Sequence, residues 1–150
     1  MAITTGDSRA DSVLADVVAS LHGAIGANLM SIYVAGSYAE RDAVPLSDLD
    51  VIAVLEERTD QELARRIANE CIARSPLRLD LVALTAPAIE ERFVALVPAF
   101  KRATLLVYGV DVREQVTLPS VDVFAAAWAE RARSLMFRIR HLAVAEPPLE

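Results

Sequence analysis

Hydrophobic residues in this chain follow two different periods. Between Asp11 and about Ala24 they recur at helical spacing, which predicts an amphipathic helix. Four shorter apolar runs predict β-strands at residues 29–35, 51–55, 77–84 and 104–108. Further helical patterns separate the last three of these runs. Helices and strands that alternate without an internal repeat predict an α/β or α+β fold built on one sheet.

Capping patterns predict where two of these helices begin. Thr59 and Glu62 have the spacing of a capping box, so a helix is expected to start there and to end before Pro76. Thr85 is expected to cap the next helix, with Pro87 in its first turn.

A long final helix is predicted at residues 121–142. One stripe of it is apolar and consists of Phe124, Trp128, Leu135, Ile139 and Leu142. The opposite side is basic and carries Arg131, Arg133, Arg138 and Arg140. Two interpretations of these arginines are open: they form a solvated face, or they attract an anionic substrate or contact a partner.

The end of the last predicted strand suggests a division of the chain. Residues 1–112 are expected to form one domain. Residues 113–150 are expected to form a C-terminal helix and tail, which can be the start of a further helical domain. The tail contains two successive prolines and is typical of a linker, so the native chain can continue past Glu150.

Composition is typical of a single globular domain. The 150 residues are 54% hydrophobic, which is enough for one sizeable core. No run approaches the roughly 18 apolar residues of a membrane helix, and the N-terminus lacks a signal-peptide pattern, so we expect a cytoplasmic protein without a membrane partner. The single cysteine, Cys71, excludes an intramolecular disulfide. A net charge of −6 argues against nonspecific binding of nucleic acid.

Candidate chemistry is concentrated between the first two predicted strands. Gly36 and Ser37 follow the first strand, and Asp48 and Asp50 stand where the second begins. Carboxylates at positions i and i+2 of a strand point to the same face and repel, so a divalent cation between them is an economical solution. Gly36 allows a ligand to approach the backbone closely, and the amide groups there can receive a phosphate. Together these features suggest a nucleoside triphosphate with its magnesium ion.

These residues also resemble a known signature. Gly36-Ser37, a gap of ten residues and Asp48-Leu49-Asp50 are similar to the motif of the DNA polymerase β-type nucleotidyltransferase superfamily. That superfamily includes aminoglycoside adenylyltransferases, small bacterial nucleotidyltransferases and minimal nucleotidyltransferase antitoxins. Asp80, on the third predicted strand, stands where the superfamily keeps its third carboxylate, and residues 105–111 look like its closing strand. The resemblance therefore extends over about residues 29–111.

The resemblance implies a fold and an activity. The fold would be a mixed β-sheet nucleotidyltransferase domain flanked by helices, with residues 1–112 as the catalytic domain. The activity would be transfer of a nucleoside monophosphate, AMP from ATP by family analogy, to a hydroxyl group with release of pyrophosphate. The acceptor can be a small molecule or a protein.

The resemblance also implies a role for each candidate residue. Asp48 and Asp50 would hold one or two Mg²⁺ or Mn²⁺ ions, and Asp80 would complete a second metal site near the attacking oxygen. Gly36 and Ser37 would bind the β- and γ-phosphates.

Other interpretations of individual residues are open. Arg41 can hold a triphosphate oxygen, because a guanidinium matches phosphate geometry, or it can be a solvated surface arginine. Asp80 lies between leucines, and a buried carboxylate needs a partner, so Arg78 can pair with it and make it purely structural. The Asp48-Leu49-Asp50 motif can also be a plain strand start after a turn.

A second functional class is a regulatory partner. Minimal nucleotidyltransferase antitoxins, which the chain also resembles, bind a partner toxin protein and can modify it. The length of the chain fits such an antitoxin. A homodimer or a helical partner domain is a further expectation for the final helix.

Overall fold

A mixed β-sheet forms the centre of the protein. The computed structural model describes residues 4–144, with side chains up to residue 136. The strands are β1 (Leu29–Ala35), β2 (Leu49–Leu55), β3 (Leu79–Thr85) and β4 (Leu105–Gly109). They form one four-stranded sheet in the order β3-β2-β1-β4. β1 is antiparallel to both β2 and β4, whereas β2 and β3 are parallel.

Helices flank this sheet. They are α1 (Ser8–Ile25), α2 (Gly36–Glu40), α3 (Gln61–Arg74), α4 (Ala86–Arg92), α5 (Val97–Arg102) and α6 (Val121–Val144). Single 3₁₀ turns occupy residues 26–28, 94–96 and 113–115. The predicted architecture, a mixed sheet flanked by helices and followed by a long C-terminal helix, is confirmed.

Each face of the sheet buries its own core. Successive side chains of a strand point to opposite faces, so every strand contributes to both. α1 and α3 cover one face, where the buried residues include Val17, Leu21, Ile32, Val51 and Leu81. The segments between β3 and β4 cover the other, where the buried residues include Tyr33, Val54, Leu84, Ile89 and Phe100. Burial on both faces explains the nearly continuous apolar sequence of β1.

The connection from β2 through α3 to β3 sets the register of the parallel strands. Parallel strands need a crossover, and α3 returns the chain so that Leu49 pairs with Leu79 and Asp50 with Asp80. Leu49 and Leu79 are buried on the face covered by α1 and α3. Asp50 and Asp80, one residue further along each strand, therefore point to the opposite face.

Capping residues decide where α3 and α4 begin. The predicted capping box at Thr59 is wrong, because the Thr59 hydroxyl donates to the carbonyl of Glu56 at 2.6 Å. Asp60 caps α3 instead, and its carboxylate accepts a hydrogen bond from the amide of Leu63 at 3.0 Å. Thr85 caps α4 as predicted, since its hydroxyl oxygen accepts a hydrogen bond from the first turn at 3.4 Å.

A buried tyrosine fastens the segment after β4 to the centre of the sheet. The Tyr33 hydroxyl donates to Asp111 Oδ1 at 3.0 Å and accepts from the amide of Val112 at 2.7 Å. The guanidinium of Arg113 pairs with Asp111 and lies 5.7 Å from the centre of the Tyr33 ring. Hydrogen bonds from Arg113 hold the pKa of Asp111 well below its usual range. This network fixes the chain on the face that carries Asp50 and Asp80.

α6 is less embedded than the other long helices. It contacts the turn at residues 94–96, but Trp128 is 43% exposed and Leu135 is 57% exposed. The apolar stripe predicted on this helix is therefore uncovered at these two positions. A third predicted member, Phe124, is partly buried. The last two members and two of the predicted arginines lie outside the described side chains: Ile139, Leu142, Arg138 and Arg140.

Two expectations about the ends of the chain are not tested by this structure. The tail at residues 145–150 lies outside the described residues. The division of the chain after residue 112 stays a prediction.

Within residues 4–144, no helix has both the length and the apolar composition to cross a membrane.

Replacement of Gly109 by alanine is expected to destabilise the fold. Gly109 has a φ angle of +80°, and a Cβ there would lie 1.9 Å from the carbonyl oxygen of Met30. Gly26 is a matched control, because it also has a positive φ, +58°, but an added Cβ would meet nothing within 4 Å. Both substitutions carry backbone strain of about 1–3 kcal/mol, and only Gly109→Ala also pushes β4 away from β1. In urea denaturation, Gly109→Ala should lose more unfolding free energy than Gly26→Ala. Equal losses would contradict this account.

Candidate active site

Gly36, Asp50 and Asp80 line the same cavity, on the face of the sheet opposite α1 and α3. The cavity has a volume of about 410 Å³. Residues of β2 and β3 form one side of it, and the segment from α4 to β4 forms another. The end of β1 and the last helix, through Arg131, complete the lining.

The chain turns sharply where β1 meets α2. Gly36 has a φ of +61° and begins α2 directly after the strand. A Cβ built at this position would lie 2.7 Å from Oδ2 of Asp50, a distance at which something must shift. Glycine is favoured here by its positive φ, whereas the Asp50 carboxylate is the end of a side chain that can move away from an added Cβ. In this structure, the group that lies close to the Gly36 backbone is the carboxylate of Asp50.

Asp50 and Asp80 form a like-charged pair. They occupy paired positions of parallel strands, and Asp50 is partly buried whereas Asp80 is exposed. Burial raises the pKa of the Asp50 carboxyl, and the negative charges of Asp80 and Asp48 raise it further. A bound cation would relieve this repulsion. The pair therefore has the electrostatics of a cation site.

Asp48 is turned towards an arginine. It stands one residue before β2, and Nε of Arg78 lies 2.9 Å from its Oδ1, close enough for an ion pair. The contact does not have hydrogen-bond geometry, so this oxygen is buried without a hydrogen-bond partner in the part of the chain that the structure describes. Arg78 thus pairs with Asp48. The interpretation of Asp80 as a buried partner of Arg78 is wrong, because Asp80 is exposed and Arg78 is engaged elsewhere.

The three carboxylates do not form one ready-made metal cluster. Among residues 4–144, no group of three or more His, Cys, Asp or Glu side chains lies close enough to hold a metal ion together. The donors nevertheless suit a hard divalent cation, because Asp50 and Asp80 bring carboxylate oxygens to paired positions of neighbouring strands. The metal roles of Asp48, Asp50 and Asp80 stay a prediction.

The other predicted nucleotide-binding residues lie on α2. Ser37 is partly buried in its first turn, next to Gly36. Arg41 ends the helix with a φ of +64°, and its amide donates to the carbonyl of Ser37. The Arg41 side chain is exposed. Neither Ser37 nor Arg41 lines the cavity in the described residues, so their contact with a phosphate stays a prediction.

Sequence reasoning missed most of the cavity wall. The wall is largely apolar and includes Ile52, Val82, Leu84, Ile89, Phe93, Leu96 and Phe100. The strand residues among them had a signal, since Val82 and Leu84 alternate with Asp80 and must share its face. Glu40 also lines the cavity, at the end of α2. Arg131 belongs to a helix distant in sequence. The prediction that it lies opposite the apolar stripe of that helix is wrong, because it stands three residues after Trp128, on the same side, and lines the cavity.

Comparison with protein families supports the resemblance. The profile of the nucleotidyltransferase domain family matches residues 14–112, which include Gly36, Asp50 and Asp80. A comparison with curated protein sequences gives no significant match.

Solved structures share the fold at low identity. Spectinomycin adenyltransferase AAD(9) from Enterococcus faecialis, crystallised with ATP and spectinomycin, has a TM-score of 0.58 and 17% identity, over 76% of this chain and 61% of that one. A mutant of the toxin-antitoxin MntA-HpeT has a TM-score of 0.54 and 16% identity, over 83% and 97%. A toxin-antitoxin crystallised with AMP-PNP has a TM-score of 0.51 and 15% identity, over 88% and 98%.

At these sequence identities, the solved structures show a common fold and do not show a shared substrate or partner. The family profile, by contrast, covers more than half of the chain and contains the residues that line the cavity on β2 and β3. The chain therefore belongs to the nucleotidyltransferase domain family and is a nucleotidyltransferase.

Proposed function

We propose that the protein transfers AMP from ATP to a hydroxyl group of an acceptor, with release of pyrophosphate, in a reaction that depends on Mg²⁺ or Mn²⁺. The observation that carries the proposal is the placement of Asp50 beside Asp80, with Gly36 against Asp50, in a cavity of a nucleotidyltransferase domain. Two structures with this fold, crystallised with ATP and with AMP-PNP, favour an adenine nucleotide as the donor.

Three carboxylates would hold the metal. Asp50 and Asp80, with Asp48 beside them, would bind Mg²⁺ or Mn²⁺, which supplies positive charge to the triphosphate oxygens and to the leaving pyrophosphate. Metal binding would also remove the repulsion that raises the pKa of Asp50. Gly36 keeps the backbone close to Asp50, and Ser37 offers its hydroxyl and amide to a phosphate.

Asp80 is suited to a second task. Its carboxylate is exposed and lines the cavity, so an acceptor hydroxyl can reach it. In the proposed reaction the acceptor oxygen attacks the α-phosphorus, the bond from that phosphorus to the bridging oxygen breaks, and the hydroxyl proton passes to Asp80. Pyrophosphate leaves with the bridging oxygen.

The apolar wall supports a role in binding. Val82, Leu84, Phe93 and Phe100 present hydrocarbon and aromatic surface to the cavity that contains Asp50. Such a wall fits the flat ring of a nucleobase or the apolar part of an acceptor, and it keeps water away from the reacting phosphate.

A partner protein is a second candidate for the acceptor or ligand. The observation that favours it is the exposed apolar surface of α6, formed by Trp128, Leu135 and Met136. Two of the structures with this fold are toxin-antitoxin chains that this chain covers almost completely. An antitoxin that binds and modifies a toxin would use both the cavity and this helix. A second polypeptide that copurifies in fixed ratio and gains AMP would support this candidate.

The proposed activity can be tested directly. The protein is incubated with labelled ATP, Mg²⁺ and candidate acceptors, small molecules and copurifying proteins alike, and mass spectrometry identifies the species that gains AMP. Release of pyrophosphate in equal amount is expected. If no species gains a nucleotide and no pyrophosphate forms, the proposal fails.

Removal of the metal is expected to abolish ATP binding. Glu40, Asp50 and Asp80 line the cavity and Asp48 lies next to Asp50 in the chain, so the triphosphate is repelled unless a cation intervenes. Calorimetric titration with ATP should show binding with Mg²⁺ or Mn²⁺ and none in EDTA. Binding of the same strength without metal would contradict the proposed roles of the three carboxylates.

Asp50→Asn is expected to stop transfer and to stabilise the metal-free protein at neutral pH. The pKa of Asp50 is raised in the folded state, so its ionisation costs stability once the pH exceeds the unfolded value of about 3.9. The substitution removes this cost. Thermal melts should show a higher Tm than wild type at pH 7, and no difference at low pH, where both states are protonated. Asp42→Asn, at an exposed position, is the control and should show no such pH-dependent gain. A Tm at pH 7 no higher than wild type would contradict the account.

Asp80→Asn is expected to separate binding from turnover. Asp50 and Asp48 remain to hold the metal of the nucleotide, so the Kd for ATP with Mg²⁺ should change little. Transfer should fall by about 10²-fold or more, because the acceptor loses its proton acceptor. Single-turnover kinetics and calorimetry measure the two quantities. Normal turnover together with a lower Tm would instead indicate a structural role.

A further inference from the structure

α6 brings one cation to the cavity. Among the described residues that line it, Glu40, Asp50 and Asp80 are acidic and Arg131 alone is basic. The helix is anchored at this place, because it contacts the turn at residues 94–96, and Leu96 of that turn also lines the cavity. Arg131 thus reaches the site from outside the segment that the family profile matches, which ends at residue 112.

Helical spacing places Arg131 on the same side of α6 as two aromatic residues. Phe124, Trp128 and Arg131 stand at positions i, i+4 and i+7, which share one side of a helix. Phe124 and Trp128 contact each other edge to face, with ring centres 6.3 Å apart. Arg133 lies on another side and pairs with Glu130 at 2.8 Å. Two arginines of one helix therefore have different environments.

The guanidinium of Arg131 is not used to neutralise the acidic residues. Within the described side chains it has no carboxylate within 4.0 Å, although three carboxylates line the same cavity. An exposed guanidinium that lines a cavity without an ion-pair partner is free to bind an anion. Its planar fork of donors matches the geometry of a phosphate group.

We propose that Arg131 binds a phosphate group of the nucleoside triphosphate, so that α6 completes the active site. The inference rests on the proposed function and adds a residue to it. Asp50 and Asp80 would hold the metal-bound part of the triphosphate at the sheet, and Arg131 would hold phosphate oxygens from the opposite side. The long C-terminal helix is then part of the substrate site and not only a surface for a partner.

The test is a comparison of ligands that differ in phosphate content. ATP, AMP and adenosine are titrated calorimetrically, with Mg²⁺ and without acceptor, into wild type, Arg131→Gln, Arg131→Lys and the control Arg133→Gln. Arg131→Gln should weaken ATP binding on the order of tenfold to a hundredfold and leave adenosine binding unchanged, because only the phosphates lose a charged hydrogen bond. Arg131→Lys should keep part of the ATP affinity that Arg131→Gln loses. Arg133→Gln should bind ATP as wild type does.

The outcomes separate this inference from the proposed function. If wild type binds ATP with Mg²⁺ and Arg131→Gln binds it equally well, the inference is overturned and the proposed function stands. A loss of the same size for adenosine would also overturn it, since the effect would not concern phosphate. If wild type binds no triphosphate at all, the inference and the proposed function both fail. Because Arg131 is exposed, Arg131→Gln should keep the Tm of wild type, which thermal melts confirm before titration.

Discussion

The parallel pairing of β2 with β3 is the constraint on which the site depends. It sets Asp50 directly beside Asp80, an arrangement that repulsion and burial make unfavourable without a cation. The register is held from the other face, where Leu49, Leu79 and their neighbours are buried under α1 and α3. A shift of one residue in the register of either strand would move its side chains to the opposite face and bury its carboxylate. Core packing on one face therefore maintains an electrostatic cost on the other, which a bound cation would relieve.

The face of the sheet that carries Asp50 and Asp80 is only partly covered by helices. α4, α5 and the turn between them cover the distal part of the sheet with Ile89, Val97 and Phe100, while the carboxylate end stays open to the cavity. The network of Tyr33, Asp111 and Arg113 fastens the chain after β4 against this face. From there the chain continues into α6, which returns to the cavity at Arg131. One face thus combines an apolar wall, an acidic end and a single arginine in the described lining.

Three predictions made from neighbouring residues in the sequence were wrong. Thr59 had the spacing of a capping residue, yet Asp60 offered a stronger acceptor one position later. Arg78 and Asp80 share a strand face, yet the approach of β2 brought Asp48 to Arg78. Asp80 appeared buried from its neighbours Leu79 and Leu81, but their side chains point to the other face and leave it exposed. The Arg78 contact comes from tertiary structure and the exposure of Asp80 from the face of its strand, whereas the cap of α3 was decided locally by the residue next to Thr59.

The sequence by itself determined the order and type of the elements, because apolar periodicity reflects burial. It also indicated the family through Gly36-Ser37 and Asp48-Leu49-Asp50, whose spacing is local, together with Asp80 on a later strand. The metal site that the sequence predicts from Asp48, Asp50 and Asp80 stays a prediction. Only the tertiary structure decided which carboxylates share a cavity, that Asp48 is drawn to Arg78, and that Arg131 joins the site. These contacts join segments far apart in the chain, and their geometry depends on strand register and helix placement. No spacing along a single segment encodes them.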